Sequence, residues 1–186
     1  MLYSREDLLS MGFRHLGQNV EIDTRTTIDN PQNISLGDFV KIGSFVILGG
    51  DIKIASYVHI GSFTSLYGGY GIEIGSFVAI SNYVRLISHS DDYSGDSLTA
   101  PFVPDEFKPK QYGGKITIKN HCIIGSGSCI LPSVTMENGT ALGAMSLLKD
   151  STQEFGIYAG IPAKKIKERS KKLLKLEEEF LQTIKH

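Results

Sequence analysis

A period of six residues governs most of this chain. Large aliphatic residues recur at every sixth position, with two interruptions, at Leu36, Ile42, Leu48, Ile54, Ile60, Leu66, Ile74, Ile80 and Leu86, then at Ile118, Ile124, Ile130, Met136, Leu142 and Leu148. A second series, β-branched or small, lies two positions earlier at Val40, Val46, Ile52, Val58, Thr64, Ile72, Val78 and Val84, then at Cys122, Ser128, Val134, Thr140 and Ser146. Residues two apart on an extended chain point to the same face, so both series are predicted to point inward.

The residues that follow each inward pair favour tight corners. Glycine and serine come next in the sequence at Gly43, Gly61, Gly75 and Gly125, and both residue types suit turns. An α-helix requires apolar spacing of about 3.6 residues, and a protein built of hairpins has longer strands with fewer corners. Short extended pieces with a corner every six residues therefore predict parallel coils stacked as a solenoid.

The repeated unit, an aliphatic residue, a glycine, two variable positions and a small residue, resembles that of the hexapeptide-repeat acyltransferases. It stands at Ile42 to Val46 and at Ile124 to Ser128, and the resemblance covers roughly residues 20–150. It implies an all-β fold, a left-handed parallel β-helix in which three hexads make one triangular coil. The residue pattern alone does not give the hand of the coil.

Both ends of the chain carry helix signals. Ser4 with Asp7 three residues later is a variant of the capping box and predicts a short helix through Met11. Apolar residues among many charges predict an amphipathic C-terminal helix. We expect an N-terminal helical segment over 1–19, the β-helix acyltransferase domain over 20–163 and the C-terminal helix over 164–186.

Aromatic residues form an outer column, each one position before an inward small residue: Phe39, Phe45, Tyr57, Phe63, Phe77 and Tyr83. We expect them to stack along one external edge. Because a solvated aromatic ladder is unfavourable, terminal segments or a neighbouring subunit should cover it. No basic residues interleave with it, so a base-stacking surface for nucleic acid is not expected.

Composition bears on the compartment and the partners. The chain of 186 residues has 19 basic and 20 acidic residues, which does not suggest a nucleic-acid surface or a polybasic membrane anchor. No apolar run approaches the ~20 residues that span a bilayer, and the first residues do not resemble a signal peptide. Cys122 and Cys129 have no metal-site spacing, and Cys122 is expected to be a packed thiol. We expect a cytoplasmic protein without a metal, without membrane insertion and without a nucleic-acid partner.

Two segments interrupt the period. Residues 67–71 contain two extra residues, which predicts a bulged corner and a candidate wall for an acceptor pocket. Residues 87–115 suspend the repeat altogether and predict an extruded loop. A solenoid that abandons its repeat for so long usually places that loop for function.

His89, at the start of this loop, is the candidate general base. Acyl transfer from a thioester requires a group that takes a proton from the acceptor, and the pKa of histidine, near 6.5, suits this task. In the galactoside and maltose acetyltransferases that the chain resembles, a histidine in the matching place is the base. Asp91, Asp92 and Tyr93 follow and are the expected substrate-binding residues, and either aspartate is an alternative base.

The closing segment, residues 142–166, resembles the signature with which the family binds coenzyme A. The resemblance implies that the pantetheine arm lies between two subunits along small residues, and that basic side chains meet the 3′-phosphate. The matching positions are Ser126, Gly143, Ala144, Ala159 and Gly160 for the arm, and Lys149, Lys164 and Lys165 for the phosphate.

The leading hypothesis is an acetyltransferase that moves an acetyl group from acetyl-CoA to a hydroxyl or amino group of a sugar, in surface-polysaccharide metabolism. The resemblance implies a homotrimer. N-acetylation of a nucleotide-linked 4-amino-deoxysugar is the specific alternative, and a non-catalytic trimeric scaffold is a remote one. A metal protein like the gamma-class carbonic anhydrases is equally remote, because His59, His89 and His121 lack the H-x-x-x-x-H spacing of that class.

Overall fold

The structure is a computed structural model that describes residues 1–184. Short strands dominate these residues, with helix α1 (Arg5–Ser10) before them, helix α2 (Lys172–Thr183) after them, and 3-10 turns at Pro31–Asn33 and Asp105–Phe107. The strands of the described part are β1 (His15–Leu16), β2 (Glu21–Ile22), β3 (Thr27–Asp29), β4 (Ile34–Leu36), β5 (Val40–Ile42), β6 (Ile47–Ile54), β7 (Val58–Ile60), β8 (Ser65–Ile74), β9 (Ala79–Ile80), β10 (Arg85–Ile87), β11 (His89–Ser90), β12 (Tyr112–Gly113), β13 (Ile116–Ile118), β14 (Ile123–Ile124), β15 (Cys129–Ile130), β16 (Thr135–Met136), β17 (Ala141–Leu142), β18 (Leu147–Leu148), β19 (Gly156–Gly160) and β20 (Ala163–Glu168).

Parallel pairing stacks these strands into a solenoid of about seven turns. One face runs β2-β5-β7-β9-β14-β17-β19. The long strands β6 and β8 bend around a corner and join the other two faces into one sheet, in which β6 pairs with both β3 and β4. The predicted parallel β-helix is confirmed.

Both predicted inward series form the core. All fifteen aliphatic positions and all thirteen positions of the second series are at most 3% exposed. The polar members bond to backbone: the Thr64 hydroxyl donates to the Ser81 carbonyl at 2.9 Å, and the Ser128 hydroxyl donates to the Gly143 carbonyl at 2.9 Å. The hydrogen bonds stabilise hydroxyls that burial alone would penalise.

The corners bring successive coils into close contact. At Gly61 a Cβ atom would lie 2.7 Å from the backbone carbon of Ser81 on the next coil, closer than a side chain can approach. The repeated glycine is therefore required by coil stacking as well as by the turn.

The N-terminal helix begins as predicted. The Ser4 hydroxyl accepts from the Asp7 amide at 3.1 Å, and the Ser4 amide donates to the Asp7 carboxylate at 3.0 Å, which completes the capping box. Strand β1 already pairs with β4, so strands of the coil begin before residue 20.

The expected start of the C-terminal helix at residue 164 is wrong. Strand β20 instead turns back on β19 and pairs with it antiparallel, and α2 begins only at Lys172. Antiparallel pairing covers the last open strand edge of this face, which a helix beginning at 164 would have left exposed. Residues 185 and 186 of the expected helix lie outside the described residues.

The aromatic column occupies two external edges instead of the one expected, because successive hexads lie on different faces. Phe39, Tyr57, Phe77 and His121 stack at 4.8–5.4 Å and form the first aromatic edge. Phe45, Phe63 and Tyr83 stack at 4.9–5.1 Å and form the second aromatic edge. Phe180 of α2 packs edge-on against Tyr57 and Phe77, so a terminal segment covers part of the first edge only.

Candidate functional site

His89 lies where the extruded loop leaves the coil. Strand β11, which contains His89, pairs antiparallel with β12, so the two ends of the loop clamp each other. The Gly114 amide donates to the Ser88 carbonyl at 2.9 Å, and the Ser133 amide donates to the Gly114 carbonyl at 3.1 Å, which ties the clamp to the next coil. The loop therefore starts and ends at a fixed place, and His89 is held there.

The two-residue insertion at 67–71 lies against His89. A Cβ atom on Gly69 would lie 3.0 Å from Nδ1 of His89, so this ring packs directly on the Gly69 backbone. The Tyr70 amide donates to the Ser88 hydroxyl at 2.9 Å, and this hydroxyl donates to the Tyr67 carbonyl at 2.8 Å. The insertion is thus part of the support of His89.

A cavity of about 810 Å³ opens beside the loop base. Its lining includes His89, Asp91, Tyr93 and Lys149, which are four of the residues that the sequence predicted for the site. Tyr112 from the returning end of the loop and Pro132 from the coil are also part of its walls. A volume of this size suits a small-molecule ligand.

The two aspartates differ in what their carboxylates do. Asp92 is 7% exposed, and its carboxylate accepts from the Ser94 amide at 2.9 Å, the Ser94 hydroxyl at 2.7 Å and the Asp96 amide at 2.8 Å. The bonds from Ser94, its hydroxyl first, lower the pKa of Asp92 to about 2, so this carboxylate is ionised and occupied. Asp91 is exposed and its carboxylate has no protein donor among residues 1–184. Of the two, Asp91 is the one available to a substrate.

The small residues expected to hold coenzyme A line one corner of the last coils. Ile124 pairs with Leu142 and Leu142 with Tyr158, which aligns the residues that follow each of them. The positions so aligned are Gly125, Gly143 and Ala159 in one column, and Ser126, Ala144 and Gly160 in the next. The Gly143 amide donates to the Tyr158 carbonyl at 2.8 Å. Ser126 and Ala144 are exposed and leave room for a thin ligand to approach the backbone.

The three lysines expected to bind coenzyme A lie either at the cavity of His89 or near the corner formed by the small residues. Lys149 lines the cavity with His89 and pairs with Asp150 at 2.9 Å. Lys164 lies opposite Ala159 on β20 and is exposed. Lys165 Nζ donates to Gln153 at 2.8 Å and to Glu168 at 2.6 Å, so its ammonium already has two protein partners.

The cysteine and the two other histidines that the sequence singled out do not line the cavity of His89. The Cys122 thiol is buried, and burial raises its pKa to about 12, as expected of a packed thiol. His59 is exposed on a coil face, and His121 Nε2 lies 3.0 Å from Glu177 of α2. Within residues 1–184 no group of three His, Cys, Asp or Glu side chains is placed to hold a metal ion.

Several residues that line the site were not named as site residues from the sequence. Tyr70, Lys108, Gln111 and Tyr112 surround a second, smaller cavity beside His89. The insertion signalled Tyr70, whereas the other three lie about 20 residues after His89 and are brought back by the β11–β12 clamp. The polar segment that contains them gave no signal before this pairing was known.

No family model matches the chain. Among known proteins, a dTDP-4-amino-4,6-dideoxy-D-glucose acyltransferase from Escherichia coli is 39% identical over 176 residues, which cover 93% of this chain and 91% of the relative.

Solved structures show the same similarity. AntD, an N-acyltransferase from Bacillus cereus in complex with dTDP and 3-hydroxybutyryl-CoA, superimposes with a TM-score of 0.96 at 42% identity, over 100% of this chain and 98% of that one. Further AntD structures are of variants. Variants of one serine contain dTDP-4-amino-4,6-dideoxyglucose and coenzyme A, and a variant of the aspartate ten residues after that serine contains dTDP and coenzyme A. A maltose O-acetyltransferase from Clostridium difficile 630 shares the fold at a TM-score of 0.56 and 19% identity, over 90% of this chain and 75% of that one.

Proposed function

This chain belongs to the hexapeptide-repeat acyltransferase family, and we propose that it transfers an acetyl group from acetyl-CoA to the amino group of a nucleotide-linked 4-amino-4,6-dideoxysugar. The observation that carries the proposal is the 39% identity over 93% of the chain to an enzyme named for that acceptor. The matched length takes in both the loop with His89 and the closing coils. The sequence left hydroxyl and amine acceptors open, and this similarity favours the amine.

The residues of the large cavity suit the required proton transfer. His89 accepts the proton that the amine loses as the carbon–nitrogen bond forms and the carbon–sulfur bond breaks, and it returns this proton to the departing sulfur. Asp91, whose carboxylate accepts no hydrogen bond from residues 1–184, holds the acceptor amine and is the alternative base. Backbone amides at the corners of the coil stabilise the negative charge that develops on the carbonyl oxygen.

A second observation supports Asp91. The AntD variants concern a serine and an aspartate ten residues apart. In this chain Ser81 and Asp91 are the one serine–aspartate pair with that spacing. Ser81 continues the column of Gly125 and Gly143, because Ile80 pairs with Ile124 on the neighbouring coil. Asp91 and Ser81 are therefore the residues to vary after His89.

Acetyl-CoA fits the corner of the last coils. A column of exposed small residues, Ser126, Ala144 and Gly160, forms what we call the coenzyme A track. Lys164, which lies opposite Ala159, supplies an exposed cation beside this track. Lys149 joins the cavity of His89, where it is suited to meet an anionic part of the donor.

The proposal extends to a homotrimer in which the second aromatic edge is covered by a neighbouring subunit. Phe45, Phe63 and Tyr83 are 46–54% exposed in the single chain, and Met145, on the same corner, is 69% exposed. Aromatic residues that would be unfavourable in water are typical of the buried part of a subunit interface. The coenzyme A track lies on the same corner, so a neighbouring subunit would close it.

The compartment belongs to the proposal as well. We place the enzyme in the cytoplasm because both cysteines are free thiols, as a reducing compartment requires. No helix within residues 1–184 has the length and apolar character needed to cross a membrane.

The test is acetyl-CoA turnover, followed by release of free thiol, with dTDP-4-amino-4,6-dideoxyglucose as acceptor. The corresponding sugar with a 4-hydroxyl group and free maltose serve as controls, and 3-hydroxybutyryl-CoA tests a longer donor. We expect turnover of the amino sugar alone, lowered about 10²-fold or more in His89→Ala. Full activity of His89→Ala with loss in Asp91→Asn moves the base to Asp91. Absence of turnover with every acceptor contradicts the proposed function.

A further inference from the structure

The small cavity beside His89 contains cationic side chains that could hold an anionic group. It has a volume of about 170 Å³ and shares His89, Asp91 and Tyr112 with the large cavity, so the two adjoin. Lys108 and Lys110, from the returning part of the loop, line it. Neither lysine was expected in the site from the sequence.

The side chain of Lys108 is mostly buried, and within residues 1–184 its ammonium has no close partner. Its side chain is 19% exposed, and its nearest carboxylate, that of Asp105, lies 4.0 Å away and is itself 91% exposed. Among residues 1–184 the Lys108 ammonium makes no hydrogen bond. An ammonium whose nearest carboxylate lies 4.0 Å away has its charge and its hydrogen-bond donors available to a bound anion.

Lys110 has a different task. Its ammonium pairs with the Asp96 carboxylate, and its backbone amide donates to the Ser97 hydroxyl at 2.9 Å. These two contacts hold the outgoing and returning parts of the loop together. Lys110 therefore shapes the cavity, whereas the charge of Lys108 is left for a ligand.

The small cavity contains one carboxylate and one ammonium that have no close partner among residues 1–184. The Asp92 carboxylate is occupied by Ser94 and Asp96, so Asp91 is the available anion and Lys108 the available cation on the walls of the small cavity. A nucleotide-linked amino sugar carries an amine and a diphosphate in one molecule. An available anion and an available cation beside His89 match that distribution.

We propose that Lys108 binds the diphosphate of the nucleotide-linked acceptor in the small cavity beside His89. This inference rests on the proposed function, because it assigns a part of the same acceptor to a place in the loop. The shared chemistry is a phosphate anion, and coenzyme A is the other source of phosphate in the reaction.

The experiment measures binding of dTDP, thymidine and coenzyme A to the full chain by calorimetry. Lys108→Met should weaken dTDP about 10- to 100-fold, because a charged hydrogen bond is lost, and should leave thymidine and coenzyme A unchanged. Lys108→Arg should retain most of the dTDP affinity since the charge is kept. Lys175→Met, whose side chain is 80% exposed on α2, is the matched control and should behave as wild type.

Each contrary result has a separate meaning. Equal dTDP affinity of Lys108→Met and wild type overturns the inference, and so does a loss confined to coenzyme A. A wild-type protein that binds coenzyme A but neither dTDP nor the dTDP-linked amino sugar contradicts the proposed acceptor instead. If Lys108→Met does not fold, Lys108→Gln with the same three ligands decides the question.

Discussion

At the scale of single residues, the corners place aromatic side chains in an unfavourable backbone conformation. Phe39, Phe45, Tyr57, Phe63, Phe77 and Tyr83 have φ between 56° and 61°. The left-handed region costs a residue with a Cβ atom about 1–2 kcal/mol. Each stacked ring pair contributes about 0.5–1.5 kcal/mol beyond burial, so stacking between coils offsets this strain.

The strain and the stacking can be told apart at Phe39, which within residues 1–184 stacks on Tyr57 alone. Both Phe39→Ala and Phe39→Gly lose the ring, but only glycine relieves the strain at φ 56°. We expect Phe39→Gly to be more stable than Phe39→Ala by about 1 kcal/mol, measured by urea unfolding at equal protein concentration. The opposite order, which is normal within strands, would show that the corner stores no strain.

Asp92 makes the loop sensitive to acid. Its folded pKa, about 2, lies below its unfolded value, so its bonds to Ser94 and Asp96 stabilise the loop above about pH 4. This contribution is lost as the pH falls from about 4 through about 2. Hydrogen exchange of residues 92–97, corrected for intrinsic rates, should show the loss in wild type.

Asp92→Asn should exchange faster than wild type already at pH 7 and should lack the acid transition. Asp91→Asn, with no carboxylate bond to protect, serves as the control for loop order. An acid transition that persists in Asp92→Asn assigns the effect to another group.

At the scale of elements, α2 is held by its contact with the first aromatic edge. Phe180 packs edge-on against Tyr57 at 5.5 Å and Phe77 at 6.3 Å, while His121 lies 3.0 Å from Glu177. These are interactions between the last element of the chain and three different coils. The helix thus adds a further link between coils that backbone pairing, core packing and ring stacking already join.

Removal of the Phe180 ring should release the helix. Phe180→Ala loses two edge-on contacts, and we expect it to destabilise the docked helix by about 1–2 kcal/mol. Hydrogen exchange of α2 measures this directly. Leu176→Ala, on the same helix but 63% exposed, should change exchange much less. Equal effects of both changes would contradict a docking role for Phe180.

The insertion at 67–71 should control activity through His89. The Cβ of Gly69→Ala would lie 3.0 Å from Nδ1 of His89, so the ring must move by a few tenths of an ångström. We expect kcat/KM to fall about tenfold with the fold intact, since small displacements of a catalytic group are costly. The matched control is Gly49→Ala in the adjacent β6, whose Cβ would have no neighbour closer than 4.0 Å. Full activity of Gly69→Ala would exclude this support.

At the scale of the whole molecule, the second aromatic edge determines assembly in our proposal. A charge at Phe63, in the middle of the stack, would have to be buried in the interface. We expect Phe63→Glu to be monomeric where wild type is trimeric, as measured by light scattering after gel filtration. Leu9→Glu, at a residue 60% exposed on α1, is the control and should remain trimeric. A trimer of Phe63→Glu would place the interface elsewhere.

The sequence by itself determined the core, the corners and the N-terminal cap of this protein. Each of these depends on residues within a few positions of one another: the inward face follows from alternation along one strand, and the cap from Ser4 and Asp7. The place where the extruded loop leaves the coil was also predicted, because the repeat stops just before His89.

Only the tertiary structure decided what depends on contacts between distant segments. The strand over Ala163–Glu168 exists because an open sheet edge was available to it, and local amphipathicity cannot report that edge. Lys108 lines a cavity with His89 because β12 returns to β11. Asp92 differs from Asp91 because the turn at Ser94 to Asp96 donates hydrogen bonds to the Asp92 carboxylate. The two aromatic edges likewise depend on how hexads of successive coils stack, which the sequence of one coil does not show.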